Sequence, residues 1–349
     1  MKFHLAINLE RMDPGTDMRA VRDHTAEMVR MADRAGFEIA WAAEHHALEM
    51  TIAPNPFQIL AWWAGETRNI RLGVAVANAT YWHPIRLAGE AGMLDLLSEG
   101  RLEFGLGSGA YQREFDRMAP GVDRSEGWRY MQEALPVVRA LWQGDTEHEG
   151  EIWRFPRATA CPKPLQDPVP VWIAARAPQS FDYAVEQGCD VICWPLTLPF
   201  AEAEKYKGLL DAAAAKAGRP FAGRLAMMRH AAVYETEADR QACLASVRQV
   251  LGQFGNLMTK TGDVVNGFPE RVPLEALDGN VRVDPATLEQ NLMFGRPEEV
   301  IAKLRRYEAL GCDAFVYYAS MGLDIARQKR SLGLFIDRVM PAFAAHEMA

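Results

Sequence analysis

Three times along the chain an amphipathic stretch ends in glycine and passes at once into a β-branched or aromatic run. The segments are RAGFEIAW (34–41), EQGCDVICW (186–194) and ALGCDAFVYY (309–318). Gly36, Gly188 and Gly311 stand where a helix C-cap takes a left-handed residue. The run after each is short and almost continuously apolar, as in a sheet covered on both faces. Eight such strands are predicted: 3–9, 39–41, 70–77, 102–107, 169–175, 190–194, 225–234 and 314–318. Helical periodicity fills 17–35, 84–97, 125–143, 199–217, 236–254, 297–309 and 324–340, with Pro297 at a helix start. Strands that alternate with helices in this way predict an α/β fold, a (β/α)8 TIM barrel, with a doubly wound sheet as the alternative.

A bare barrel needs about 250 residues, and the chain has 349. The surplus falls into insertions: 144–168, rich in proline and charge, and 255–292, with glycine, proline and aspartate and little periodicity. No linker marks a second domain, so residues 1–349 read as one. A long connection between the seventh and eighth strands is either a lid over the barrel or a contact arm.

Composition narrows the function classes. Lysine and arginine number 38 against 46 aspartate and glutamate, a net charge of −8, and 49% of residues are hydrophobic. Such a chain is neither disordered nor equipped to bind nucleic acid or anionic lipid. Its five cysteines form no CxxC pair, so neither a zinc ribbon nor a dithiol redox pair is expected. The N-terminal MKFHLAINLE lacks a signal-peptide core, and no apolar run is long enough to span a membrane. A cytoplasmic protein is the expectation.

Three segments carry candidate chemistry. Glu44-His45-His46 follows the second strand, at the strand end where barrel enzymes place catalytic groups. Neighbours on an extended chain point apart, so one histidine is expected to face the pocket as acid, base or hydrogen-bond donor, tuned or positioned by Glu44. HExxH spacing is absent, which disfavours zinc. GLGSGAYQREF (105–115) ends the fourth strand with Gly105, Gly107 and Gly109, residues that permit close approach to a ligand or a tight turn; Tyr111 is placed to stack on a planar ligand. In VPVWIAARAPQSFDYA (169–184), Arg176, Ser180 and backbone N–H groups converge on a helix N-terminus, suiting either an anion such as phosphate or plain helix initiation. Trp41, Trp62, Trp63, Tyr81, Trp82, Trp194, Tyr317 and Tyr318 fall at strand ends or nearby loops, where they serve a planar-ligand pocket or the core.

Taken together, GFEIAWAAEHH, HPIRLAGEAGMLDLLSEGRLEFGLGSG (83–109), PVWIAARAPQS and FGRPEEVIAKL (294–304) resemble the bacterial luciferase-like flavin-dependent monooxygenase family over nearly the whole chain. The resemblance implies a barrel that binds FMN at its C-terminal face, commonly as a dimer. It implies that His45 is the active-site histidine. Ala75-Val76 would be a non-prolyl cis dipeptide beneath the flavin, and Arg176, Ala177 and Ser180 would hold the phosphate. Trp194 would lie near the flavin ring, with 255–292 as a mobile lid. Where the luciferase chain carries a cysteine followed by arginine, this one has Gly107-Ser108, which argues against light emission and leaves Arg176 to replace the missing arginine.

These readings combine into an expected function. A separate reductase delivers reduced FMN, O2 adds to give a flavin C4a-peroxide, and a small organic substrate is oxygenated, with His45 bonding the oxygen adduct or moving a proton. The enzyme is expected to be a homodimer without nucleic-acid or membrane partners. The alternatives are a deazaflavin-dependent hydride-transfer enzyme on the same fold, a flavin-binding protein without turnover, and a metal-dependent barrel hydrolase.

Overall fold

A computed structural model describes residues 1–259 and 262–344. Eight parallel strands close into a barrel: β1 (Lys2–Ala6), β2 (Ile39–Ala42), β3 (Arg71–Val74), β4 (Leu102–Gly107), β5 (Val171–Ala174), β6 (Asp190–Cys193), β7 (Leu225–Val233) and β8 (Ala314–Tyr318). Each pairs with its sequence neighbours, and β8 returns to β1 through Lys2↔Ala314 and Ala6↔Tyr318. All eight begin within two residues of where the hydrophobic runs begin. The outer ring is built from α1 (Met18–Ala35), α2 (Pro56–Glu66), α3 (Pro84–Leu97), α4 (Gly127–Gln143), α5 (Pro178–Gln187), α6 (Phe200–Lys216), α7 (Glu237–Thr259), α8 (Pro297–Ala309) and α9 (Ile325–Leu334).

The joins read from the sequence have their physical cause in the caps. Asp17 accepts a hydrogen bond from the Arg19 N–H and starts α1. Gly36, at φ 82°, turns the chain out of it, with its N–H on the Ala32 and Asp33 carbonyls. Gly188 (φ 63°) and Gly311 (φ 87°) do the same before β6 and β8.

The barrel interior is filled from below. Trp41 and Trp172 meet edge to face, 5.2 Å apart at 82°, a geometry worth about 0.5–1.5 kcal/mol beyond buried area. Beneath them Glu103 is buried and accepts from Arg71, from Arg224 at 2.7 Å and from the Trp172 indole at 2.5 Å. Trp41 donates to His4 Nδ1 at 3.2 Å, so the His4 proton sits on Nε2, 2.9 Å from Glu38. This polar plug seals the N-terminal end. At the other end β5 is buried until its last residue, Ala174, which is exposed. The C-terminal mouth is therefore the open one.

Several expectations need correction. The predicted strand over 70–77 is broken: β3 stops at Val74 and pairing resumes at Ala77–Asn78. Three residues separate Gly73 from Ala77 where two separate their partners Glu103 and Leu106, so the chain bulges by one residue. The segment 144–168 contains a hairpin, Thr146–Glu149 against Arg154–Ala158. The segment 255–292 starts inside α7, carries a small hairpin (Val264–Val265 with Phe268–Pro269) and ends in the helix Pro285–Asn291; residues 260 and 261 lie outside the described residues. Helix α2 escaped the periodicity reading because PFQILAWWAGE is apolar nearly all round. Its signal is local: Asn55 caps it by accepting from the Phe57 and Gln58 N–H groups, and Pro56 opens it.

Candidate active site

The strand ends at the open mouth carry most of the residues singled out by sequence. His45 and His46 part company, as alternating side chains require. The His45 ring lies 5.5 Å from Tyr111, and the His46 ring meets Tyr81 edge to face at 5.3 Å. Glu44 belongs to the His46 side. It is buried, sits 2.7 Å from His46 Nε2, and accepts from the Asn78 N–H at 2.7 Å and the Trp82 indole at 2.9 Å. Of the two roles expected for Glu44, tuning and positioning, only tuning reaches His45. Glu44 ties the end of β2 to the chain after β3 and reaches His45 only through its charge.

The carboxylate that holds His45 is Glu114, a buried residue on the short helix Gln112–Met118. Its Oε1 lies 3.2 Å from His45 Nδ1 and accepts the His46 backbone N–H at 2.8 Å. Burial works against a charge on His45, but the charge and hydrogen bond of Glu114, with the charge of Glu44 added, hold its pKa above the usual value. A carboxylate only accepts, so Nδ1 keeps a proton toward Glu114 and Nε2 is the nitrogen free for chemistry. Glu114 lies inside the GLGSGAYQREF motif. An acidic residue in the first turn of the helix after a barrel strand was the available signal.

The Ala75–Val76 peptide is cis, as the resemblance implied. The glycines of β4 serve this bulge before they serve any ligand. A Cβ on Gly105 would run into the Val74 carbonyl oxygen, and one on Gly107 into the Val76 side chain. Ser108 follows, half-buried.

At the end of β5, Arg176 is exposed and makes no ion pair among the described residues; its guanidinium lies 5.8 Å from the Trp194 ring centre. Ser180 corrects another expectation. Its hydroxyl accepts from the Arg176 and Ala177 N–H groups at 3.2 Å and donates to the Ala177 carbonyl at 2.6 Å. It thus shapes the N-terminus of α5 and is not left over for a ligand. What remains for an anion is the unpaired Arg176 at the positive end of a helix with no acid in its first turn. That arrangement fits a phosphate.

Trp194 closes the mouth at β6, with His230 and Tyr318 as neighbours. Its ring meets theirs edge to face at 5.7 and 5.4 Å, and His230 stacks on Tyr318 at 4.5 Å. Burial drives the His230 pKa down to about 3, so this imidazole stays neutral. His230 was not singled out by sequence. Over the other side Phe254 of α7 stacks on Tyr111, 6.1 Å away at 23°. The hairpin after α7 rests on the same rim: Arg113 donates to the Gly262 carbonyl, and the Glu49 N–H to Gly267 at 2.7 Å.

The sequence matches the model of the luciferase-like monooxygenase family over residues 1–314. It is 37% identical over 345 residues, 99% of this chain and 96% of the relative, to the Acinetobacter baylyi protein named flavin-dependent trigonelline monooxygenase, oxygenase component. Among solved structures, the monooxygenase RslO1 from Streptomyces bottropensis superposes with a TM-score of 0.77 at 24% identity, over 99% of this chain and 100% of that one. An F420-dependent secondary alcohol dehydrogenase superposes with 0.76 at 16% identity, covering 98% of each chain. Likenesses at these identities speak for the fold alone. With the family match, the near full-length relative and the barrel mouth in agreement, the chain belongs to the luciferase-like monooxygenase family.

Proposed function

We propose that this chain is the oxygenase component of a two-component system, taking reduced FMN from a separate reductase and using O2 to oxygenate a small organic substrate. Family membership makes it an enzyme, a flavin-dependent monooxygenase. The observation that carries the finer reading is the presence, on one strand-end face, of a His45 held by Glu114 and an Arg176 that has no counter-ion among the described residues.

Bound reduced FMN supplies the electrons and the place where O2 is activated. The chain does the rest. Arg176 and the N-terminus of α5 hold the phosphate, with Ala177 and Ser180 fixing the backbone there. The bulge at Ala75–Val76, with Gly107 and Ser108 beside it, forms the floor, and Trp194 and Tyr111 form walls. His45 Nε2 donates a proton to developing negative charge below its raised pKa and accepts one above it, and Glu114 keeps the ring oriented through the exchange. Phe254 and residues 255–292 act as a lid that keeps water from the reaction.

Several observations support the remaining points. Met93, Leu96 and Leu97 of α3 are exposed beside Leu165, an apolar face that suits a second copy of the chain and hence a homodimer. All five cysteines are unpaired, which suits the reducing cytoplasm. Among the described residues no helix is long and apolar enough to cross a membrane.

The test is direct. Purified protein is titrated with FMN, then given reduced FMN, O2 and a compound panel headed by trigonelline. Saturable flavin binding and substrate-dependent O2 uptake are expected. Protein that binds no FMN, or that prefers a deazaflavin and ignores oxygen, overturns the reading.

A further inference from the structure

Pairing between β6 and β7 ends at Cys193↔Met227, so Trp194 leaves the sheet with no ladder partner on that side. The chain beyond it turns at once: the Leu198 N–H donates to the Pro195 carbonyl at 3.0 Å. Inside the turn Leu196 sits at φ 54°. A left-handed leucine is costly, and it persists only where its surroundings over-determine it.

Arg229 does most of that work. It is fully buried and makes no ion pair among the described residues. Its Nη1 donates to the Leu196 and Leu198 carbonyls at 2.8 and 2.7 Å, and its Nη2 to the Pro199 carbonyl at 3.3 Å. Its Nε donates to the Tyr307 hydroxyl of α8 at 3.0 Å. Asn291, the last residue of the helix Pro285–Asn291, donates to the Thr197 carbonyl at 2.9 Å. Two side chains thus fasten four successive carbonyl oxygens. Burying a cation against neutral acceptors alone is expensive, and only a planar fork reaches three carbonyls at once.

His230, the next residue, points the other way, as neighbours on a strand do. Its ring packs on that of Trp194 at 5.7 Å. Adjacent residues of β7 therefore hold Trp194 from two sides, one through its ring and one through the chain that follows it. The ring so placed is half-buried and lies 5.8 Å from the Arg176 guanidinium.

We propose that Arg229 is a positioning residue for the flavin reaction: with Asn291 it clamps residues 196–199 and so fixes the Trp194 ring as a preformed wall of the flavin site. The proposal rests on the reading of Trp194 as that wall. Arg229 acts through Trp194 and is not itself a ligand contact. Without the clamp, each arriving flavin has to order the ring anew, and Arg176 loses the face it lies against. Asn291 ties the segment 255–292 to the same wall.

The test reads Trp194 directly. The whole protein is labelled with 5-fluorotryptophan, and the Trp194 resonance is the one that Trp194→Ala removes. Arg229→Lys keeps the charge and gives up the fork. Asn291→Ala changes a half-buried residue at the rim and gives a folded variant whether or not Arg229→Lys does. In both, the Trp194 fluorine resonance should shift or broaden while the other tryptophans stay in place. FMN affinity, by fluorescence quenching, should fall about two- to tenfold, the cost of ordering one side chain on binding. The visible circular dichroism of bound FMN should change toward that of Trp194→Ala. Tyr307→Phe is the control for stability alone. It takes one bond from Arg229 and leaves the three carbonyls held, so melting should fall while resonance, affinity and dichroism stay native. An unmoved Trp194 resonance in Asn291→Ala or in folded Arg229→Lys, or an equal loss of FMN affinity in Tyr307→Phe, overturns the proposal. FMN binding that Trp194→Ala leaves untouched removes the wall itself, and the proposal with it. An effect of Trp194→Ala that the two clamp variants do not share overturns the clamp alone.

Discussion

Glu114 holds His45 from 69 residues away in sequence, with Oε1 3.2 Å from Nδ1 and 2.8 Å from the neighbouring backbone N–H of His46. One carboxylate thus fixes both the ring and the chain that carries it. Glu114→Gln keeps the shape and removes the charge. The His45 pKa, followed by NMR, should then fall, and the basic limb of the pH–rate profile should move to lower pH with it. Turnover should drop roughly ten- to hundredfold, the equivalent of about 1.5–3 kcal/mol for a charge-assisted bond. An unmoved profile would detach Glu114 from the mechanism.

The same pair sets a pH dependence of stability. The folded-state pKa of His45 is raised, so its contribution is fully present below the unfolded value of about 6.5. It is lost as pH rises through the higher folded value. Thermal melts across this window should show that slope in the native chain and a flatter one in Glu114→Gln.

Arg176 and Ser180 make separable contributions. Arg176→Ala removes an exposed cation that makes no ion pair among the described residues, and should leave stability unchanged while weakening FMN binding about tenfold or more. Ser180→Ala strips the partner from two backbone N–H groups and should cost about 1 kcal/mol of stability. Fluorescence titration and melting measurements on the two variants should give opposite patterns. A flavin affinity that Arg176→Ala leaves intact would remove Arg176 from the phosphate site.

Gly105→Ala forces a methyl group against the Val74 carbonyl oxygen, part of a backbone that cannot yield cheaply. The expected loss is about 1–3 kcal/mol by denaturant unfolding. A neutral result would mean that the bulge at Ala75–Val76 is looser than its packing shows.

Phe254→Ala unstacks Tyr111 and frees the end of α7. An aromatic pair contributes about 0.5–1.5 kcal/mol, enough to shift lid opening roughly two- to tenfold. Hydrogen peroxide leakage per turnover should rise accordingly, measured against product formed. A lid role for this segment does not survive if coupling is unchanged.

Most of the barrel could be read along the chain because each strand and its glycine joint obey local rules. Gly36, Gly188 and Gly311 announce helix ends wherever they occur, and buried parallel strands are apolar without interruption. Helix α2 was lost because its composition hides the period, although Asn55-Pro56 marks its start. The full extent of α7 is hidden because residues after 254 look like loop when read without the hairpin that packs on them. In the site, alternation along an extended chain foretold that His45 and His46 diverge. It equally implies that Glu44 goes with His46. Glu114 was not legible as a partner, because its contact exists only after barrel closure brings the ends of β2 and β4 together. The role of Ser180 was half legible: a hydroxyl at a helix start is a cap or a ligand contact, and only the geometry shows the hydroxyl already spent.

Oxygen isotope labelling tests the central claim most directly. Reduced FMN is supplied by a generic reductase under 18O2, with the panel headed by trigonelline, and products are read by mass spectrometry. A product carrying one 18O atom, formed only with reduced FMN and lost or strongly reduced in His45→Ala, is expected. A product that forms equally without O2, or that carries no label, would contradict the account.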